Sequence, residues 1–90
     1  MSSELEAVHV YWRPGCPFCG ILRRGLSGRG IATIEHDIWS DPEAAAVVRS
    51  YAGGNETVPT VVIGSTGMVN PSAKAVAEFL AAHAPHLLPN

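Results

Sequence analysis

The chain holds two cysteines, Cys16 and Cys19, separated only by Pro17 and Phe18 within Val10-Tyr11-Trp12-Arg13-Pro14-Gly15-Cys16-Pro17-Phe18-Cys19-Gly20. A C-x-x-C pair between a strand-like and a helix-like run has the chemistry of a thiol–disulfide redox centre. Cys16 falls just before the helix, where unpaired backbone N–H groups and the positive end of the dipole stabilise a sulfur anion. Cys19 lies one turn on, its backbone N–H available to the Cys16 sulfur and its own side chain more enclosed. Cys16 therefore reads as the nucleophile and Cys19 as a potential resolving thiol.

Lowering the Cys16 pKa would help one step more than the other. A free thiol near pKa 8.5 is only about 3 % thiolate at neutral pH, and a drop to about 5 raises that roughly 30-fold. Intrinsic nucleophilicity falls by a similar factor, because the Brønsted slope is about 0.4–0.5. The clear gain comes when Cys16 is expelled from a mixed disulfide, since a low-pKa sulfur leaves faster.

Other uses of the pair are weaker. A structural zinc site needs four ligands, and two cysteines with a pair drawn from His9, His36, His83 and His86 lack the usual finger spacing. No metal is expected, and the four histidines read as surface or core-edge residues. Arg13, Arg23, Arg24 and Arg29 fall between residues 13 and 30, a span without Asp or Glu. Arg23, Arg24 and Arg29 fit a solvated helix face; Arg13, nearest the thiol in sequence, is the candidate for favouring a thiolate.

The elements that must hold this pair are short. Val8, Val10 and Trp12 alternate with His9 and Tyr11, which predicts a strand over residues 7–12. Pro14-Gly15 turns the chain, and a helix follows from Pro17 to Ser27 with Ile21, Leu22 and Leu26 on one face. Gly25 weakens that helix and Gly28-Arg29-Gly30 ends it. Residues 31–37 read as a second strand, with Ala32, Ile34 and Ile38 as its apolar face. Ser40-Asp41-Pro42-Glu43 starts a second helix, capped by Ser40 or by Asp41, that carries Ala44, Val47, Val48 and Tyr51 to about Ala52.

Thr60-Val61-Val62-Ile63 is a short apolar strand, and Gly64-Ser65-Thr66-Gly67 turns it into a brief strand at Met68-Val69. Asn70-Pro71-Ser72 opens the last helix, with Ala73, Val76, Phe79 and Leu80 inward and Pro85 as its stop. The first two strands need a crossover helix and run parallel; the last two join by a short turn and run antiparallel. Helices are expected on both faces of the central strands. Trp12, Tyr51 and Phe79 read as core, and Trp39 follows strand 2 on either side of that boundary.

Ninety residues make one small domain, expected to span residues 1–90, with a single core. An apolar fraction of 47 % is globular, and no apolar run is long enough to span a bilayer. A net charge of −2 argues against a nucleic-acid module. Met1-Ser2-Ser3-Glu4-Leu5-Glu6 has no basic residue and no apolar h-region, so no secretory signal is expected. The expected home is a reducing cytoplasm, where a cysteine pair is more often catalytic or metal-binding than structural.

The element order β-α-β-α-β-β-α, with Cys16-Pro17-Phe18-Cys19 after the first strand and Thr57-Val58-Pro59-Thr60 before the third, resembles the glutaredoxin branch of the thioredoxin fold. Tyr11, the Cys-Pro-Phe-Cys run and Thr-Val-Pro fall where glutaredoxins carry a Tyr, C-P-Y-C and T-V-P. Gly53-Gly54-Asn55-Glu56-Thr57-Val58-Pro59-Thr60-Val61, followed by Asn70-Pro71-Ser72-Ala73, is similar to mycoredoxins, the glutaredoxin-like reductases of bacteria whose small thiol is mycothiol.

The resemblance implies an α/β, thioredoxin-like (glutaredoxin-like) fold with a four-stranded mixed sheet and helices on both faces. It implies a cis Val58–Pro59 bond that aims the Val58 backbone at the substrate's sulfur-bearing residue. On the residues alone an X–Pro bond is cis only about 5–6 % of the time, and a trans edge-strand proline stays open. Tyr11, Arg13, Pro17 and Phe18 would flank the thiol. Asn70 and Ser72 cap a helix in any reading; by the resemblance their loop also grips the small thiol. In glutaredoxins an acidic residue there commonly meets the ammonium of glutathione, yet residues 69–75 contain no acid. Mycothiol has neither that ammonium nor carboxylates and needs hydrogen bonds to sugar hydroxyls, which Asn70 and Ser72 could supply.

The expected activity is thus reduction of protein–mycothiol mixed disulfides by a mainly monothiol route through Cys16. Mycothiol is the expected reducing co-substrate, ahead of glutathione, with no bound cofactor. The expected partners are mycothiolated or disulfide-bonded proteins and, indirectly, mycothiol disulfide reductase, with no nucleic acid, no membrane and a monomeric state. A dithiol redoxin, passing electrons from thioredoxin reductase to ribonucleotide reductase or other protein disulfides, is the competing enzyme. A metal-binding or interaction module without turnover is the competing non-enzyme.

Overall fold

The structure is a computed structural model and describes residues 7–89. The leader-free reading of Met1 to Glu6 concerns residues outside that range. Four strands, β1 (His9–Trp12), β2 (Ile34–Asp37), β3 (Thr60–Ile63) and β4 (Thr66–Val69), form one sheet in the order β2-β1-β3-β4. β1 and β2 are parallel, with Trp12 opposite Asp37; β3 is antiparallel to both β1 and β4. Helices α1 (Pro17–Gly28) and α3 (Ala73–His83) cover one face and α2 (Pro42–Tyr51) the other.

Side-chain alternation along the strands explains that division. Val8, Val10, Val61 and Ile63 meet Leu22 and Leu26 of α1 and Val76 and Leu80 of α3. Tyr11 and Val62 point the other way, into Ala44, Ala45 and Val48 of α2. All four residues of β3 are buried, so its unbroken apolar run follows from cover on both faces. Fully enclosing a side chain such as Leu26 contributes about 1.5–3 kcal/mol.

Three expectations about burial need correction. Ile21 is exposed, because the buried stripe of α1 runs through Cys19, Leu22 and Leu26, and Ile21 lies about 100° from Leu22 around the helix. Ile34 is also exposed, since β2 is an edge strand; the buried isoleucines Ile31 and Ile38 flank it instead. Tyr51 sits at the surface with its ring laid against Gly67, where a Cβ would collide with it. Trp12 and Phe79 are half-buried, and Phe79 packs against the α1/α3 core.

The helix ends carry the expected caps. Asp41, rather than Ser40, caps α2 by accepting the Glu43 N–H at 3.0 Å, and Ser72 caps α3 by accepting the Ala75 N–H at 3.0 Å. Gly25 permits close approach of α1 to α3: a Cβ there would lie 2.7 Å from the Ala73 Cβ. Beyond α3, Pro85–Leu87 form a short 3-10 turn, and Leu87 and Leu88 dock on the core. Among the described residues, no helix is long and apolar enough to cross a membrane.

Candidate active site

One end of the sheet gathers the chemistry. The loops after β1, β2 and β4 and the segment entering β3 all emerge there, because β1, β2 and β4 run one way and β3 the other. They carry Cys16, Trp39, Asn70 and Val58–Pro59 respectively.

Cys16 is the N-cap of α1, and its sulfur accepts the Cys19 N–H at 3.2 Å. The first turn of α1 contains no acidic residue to oppose an anion at that position. Val58–Pro59 is cis, and the Val58 carbonyl lies 3.8 Å from the Cys16 sulfur. Pro59 is fully buried and its carbonyl accepts the Asn70 N–H at 2.7 Å, which couples the third and fourth loops of the site.

The two thiols, both free, occupy different environments. Cys16 is half-exposed in an open depression of about 430 Å³ walled by Pro17, Gly20, Ile21 and Arg24. Cys19 is 1 % exposed. Burial first, and then its contact with the Cys16 sulfur, push the Cys19 thiol up to about 11, against a smaller opposing pull from the Arg13 backbone. At neutral pH Cys19 therefore stays protonated, which leaves the attack to Cys16.

The remaining site residues divide into those at the thiol and those behind it. Pro17 borders Cys16, whereas the 62 % exposed Phe18 belongs to an adjoining groove of about 450 Å³ between α1 and the Asn70–Lys74 segment. Asn70, with its backbone in the left-handed region at φ 53°, Pro71 and Ser72 form the far wall of that groove, and among the described residues Arg29 and Lys74 supply its only charges. Tyr11, expected beside the thiol, faces the α2 side of the sheet. It is buried under α2 with its ring stacked on His36, 4.6 Å between centroids, and Val58 packs against the same cluster.

The cations are not a uniform solvated face. Arg23 pairs with Glu35 at 2.7 Å and lies over the Trp12 ring, tying α1 to β2. Arg24 reaches the Cys16 depression, and Arg13 lies over the indole of Trp39 at 5.5 Å. The Arg13–Trp39 contact follows from the parallel β1–β2 register, which places the segments after Trp12 and Asp37 side by side. Among the described residues, no group of three or more His, Cys, Asp or Glu is arranged to hold a metal ion.

A half-exposed sulfur capping a helix, a buried protonated thiol one turn on and a proline-led loop across from them define a thiol–disulfide oxidoreductase of the thioredoxin-like class. A family model for glutaredoxin matches residues 8–68. A Mycobacterium tuberculosis H37Rv protein whose name proposes it as a glutaredoxin is 43 % identical over 72 residues, covering 78 % of this chain and 84 % of the relative. Mycoredoxin 1 of Corynebacterium glutamicum is 37 % identical over 73 residues, covering 80 % and 90 %. A solved variant of the thioredoxin-like protein BC3987 superposes with a TM-score of 0.70 at 26 % identity, covering 84 % of this chain and 96 % of the other. The chain belongs to the glutaredoxin family.

Proposed function

We propose that this glutaredoxin reduces mixed disulfides between cytoplasmic proteins and mycothiol, and that it does so by a monothiol route. The Cys16 thiolate attacks the mycothiol sulfur of the protein–mycothiol disulfide. A Cys16–mycothiol disulfide forms, and the protein leaves as a thiolate that takes a proton from solvent. A second mycothiol thiolate then attacks the mycothiol sulfur on Cys16, releasing mycothiol disulfide and the Cys16 thiolate. Mycothiol disulfide returns to the thiol through its own reductase.

The asymmetry of the two cysteines carries this reading. With its thiol raised from 9.0 to about 11, Cys19 is roughly 100-fold less ionised at neutral pH than an unburied cysteine. The higher basicity restores only about 6- to 10-fold in nucleophilicity. Burial, the largest cause of that rise, persists once Cys16 carries the small thiol, so closure of the Cys16–Cys19 disulfide is slowed and an incoming small thiol has time to resolve the intermediate. The choice of mycothiol is supported by the likeness to mycoredoxin 1 and by the groove beside Phe18, whose lining among the described residues contains two cations and no carboxylate to meet an ammonium.

The test is turnover of a model mixed disulfide of mycothiol, coupled to mycothiol disulfide reductase, beside the matching glutathione assay. Turnover with mycothiol and little with glutathione is expected. Inactivity with mycothiol would remove the proposal.

A further inference from the structure

Trp39 is 65 % exposed, the largest apolar side chain left to solvent in the described residues. It does not sit on a loose loop. The Asp37 carboxylate accepts the Trp39 N–H at 2.9 Å and the Ser40 hydroxyl at 3.0 Å. The Asp37 carbonyl accepts the N–H groups of Ser40 and Asp41, both at 3.1 Å, and the Ile38 N–H donates to Trp12 at 2.9 Å. The turn is thus ordered in advance, so a ligand that meets the indole has less conformational entropy to remove.

Arg13 completes the surface. Its guanidinium lies over the indole at 5.5 Å and uses one N–H on the Pro14 carbonyl at 3.2 Å, out of the five donors such a group carries. Arg13 stands in the loop that leads to Cys16, and the strand order puts Trp39 on the β2 side of that loop, opposite Asn70 on the β4 side. Cys16 therefore has two shoulders. One is the groove of Phe18 and Asn70; the other is the Arg13–Trp39 pair, with Arg13 three residues before Cys16 in the chain.

We propose that Trp39 and Arg13 form a subsite for the sugar portion of the small thiol joined to Cys16. This inference rests on the mycothiol reading and deepens it. The C–H face of a sugar ring stacks on the indole, and its hydroxyls accept from the guanidinium. A carboxylate ligand would use Arg13 and leave the indole bare. An apolar peptide side chain would use the indole and leave the guanidinium unmatched. A polyhydroxylated ring satisfies both groups.

The experiment compares kcat/KM for two model mixed disulfides, one carrying mycothiol and one carrying N-acetylcysteine, which lacks the sugar. Trp39→Ala is expected to lower the preference for the mycothiol substrate about tenfold, through KM, and Trp39→Phe to retain most of it by keeping an aromatic face. An unchanged preference in Trp39→Ala, with the wild type turning over mycothiol, overturns the subsite alone. Equal losses on both substrates also overturn it, and assign Trp39 to the protein side of the mixed disulfide. A wild type inactive on the mycothiol substrate but active with glutathione overturns the parent reading, and the subsite with it.

Discussion

The backbone N–H of Cys19 donates to the Cys16 sulfur across 3.2 Å, while the Cys19 side chain is closed off from solvent. One residue thus supports the nucleophile with its backbone and withholds its own sulfur. The two contributions come from different atoms, so they can be separated by substitution.

Cys19→Ser keeps the N–H and removes the second thiol. Its kcat/KM for a mycothiol mixed disulfide is expected to stay within about twofold of the wild type, whereas Cys16→Ser falls at least about a hundredfold. Loss of turnover in Cys19→Ser, to the level of Cys16→Ser, would establish a dithiol carrier and contradict the monothiol route.

Closure of the internal disulfide has its own pH signature. With the Cys19 thiol at about 11, its thiolate fraction rises about tenfold per pH unit through the neutral and mildly alkaline range. Once Cys16 carries a small thiol, burial still holds the Cys19 thiol up, so the rate of its release by Cys19 should go on climbing past the ordinary cysteine value of about 8.5. Stopped-flow mixing of the Cys16 adduct at a series of pH values measures this. A plateau beginning near pH 8.5, the ordinary cysteine value, would show that burial does not hold Cys19 protonated.

Much of this arrangement is legible in the residues, for identifiable reasons. Leu22 and Leu26 announce the inner face of α1 by their spacing, and β3 announces its double cover by an unbroken apolar run. Ile21 and Ile34 mislead because apolar type alone does not say whether a neighbour exists, and an edge strand lacks one on its open side. The cis Val58–Pro59 bond is legible only through family resemblance, since local preference alone favours a trans bond before Pro59. Nothing in the residue type of Trp39 fixes its setting. That setting depends on the parallel register that brings it beside Arg13, although Asp37 and the following Ser40-Asp41-Pro42 do mark an ordered turn.

His36 links stability to acid. Its pKa is lowered, first by burial and then by the neighbouring His9, with Asp41 opposing; the Tyr11 ring is stacked on it. His9 Nδ1 and His36 Nε2 lie 2.9 Å apart, a bond in which one ring donates and the other accepts, so double protonation breaks it. A lowered native pKa means that the unfolded chain binds the proton more readily. The stabilisation is present above about pH 6.5 and is lost as pH falls below it. Urea unfolding over that window should show His36→Asn with a shallower loss than the wild type; parallel curves would rule the linkage out.

Gly25 and Gly28 both lie in α1, yet alanine should act oppositely at the two positions. In a helix interior Ala is favoured over Gly by about 0.8–1.0 kcal/mol, and at Gly28 a Cβ meets nothing within 4 Å. Gly28→Ala is therefore expected to stabilise, by less than that full amount because the position ends the helix. At Gly25 the new Cβ would sit 2.7 Å from the Ala73 Cβ, a contact between two short side chains that only a shift of α1 against α3 can relieve. Overpacking of this kind costs about 1–3 kcal/mol, which outweighs the propensity gain at all but the low end of that range. Gly25→Ala should then lower Tm, and Ala73→Gly should recover part of the loss in the double variant although it is unfavourable alone. Thermal unfolding of the four proteins measures the coupling directly. Additive effects of Gly25→Ala and Ala73→Gly would mean that the helices are not in contact there. In that case α3, and with it the Asn70–Ser72 wall of the groove, would be held by the core alone.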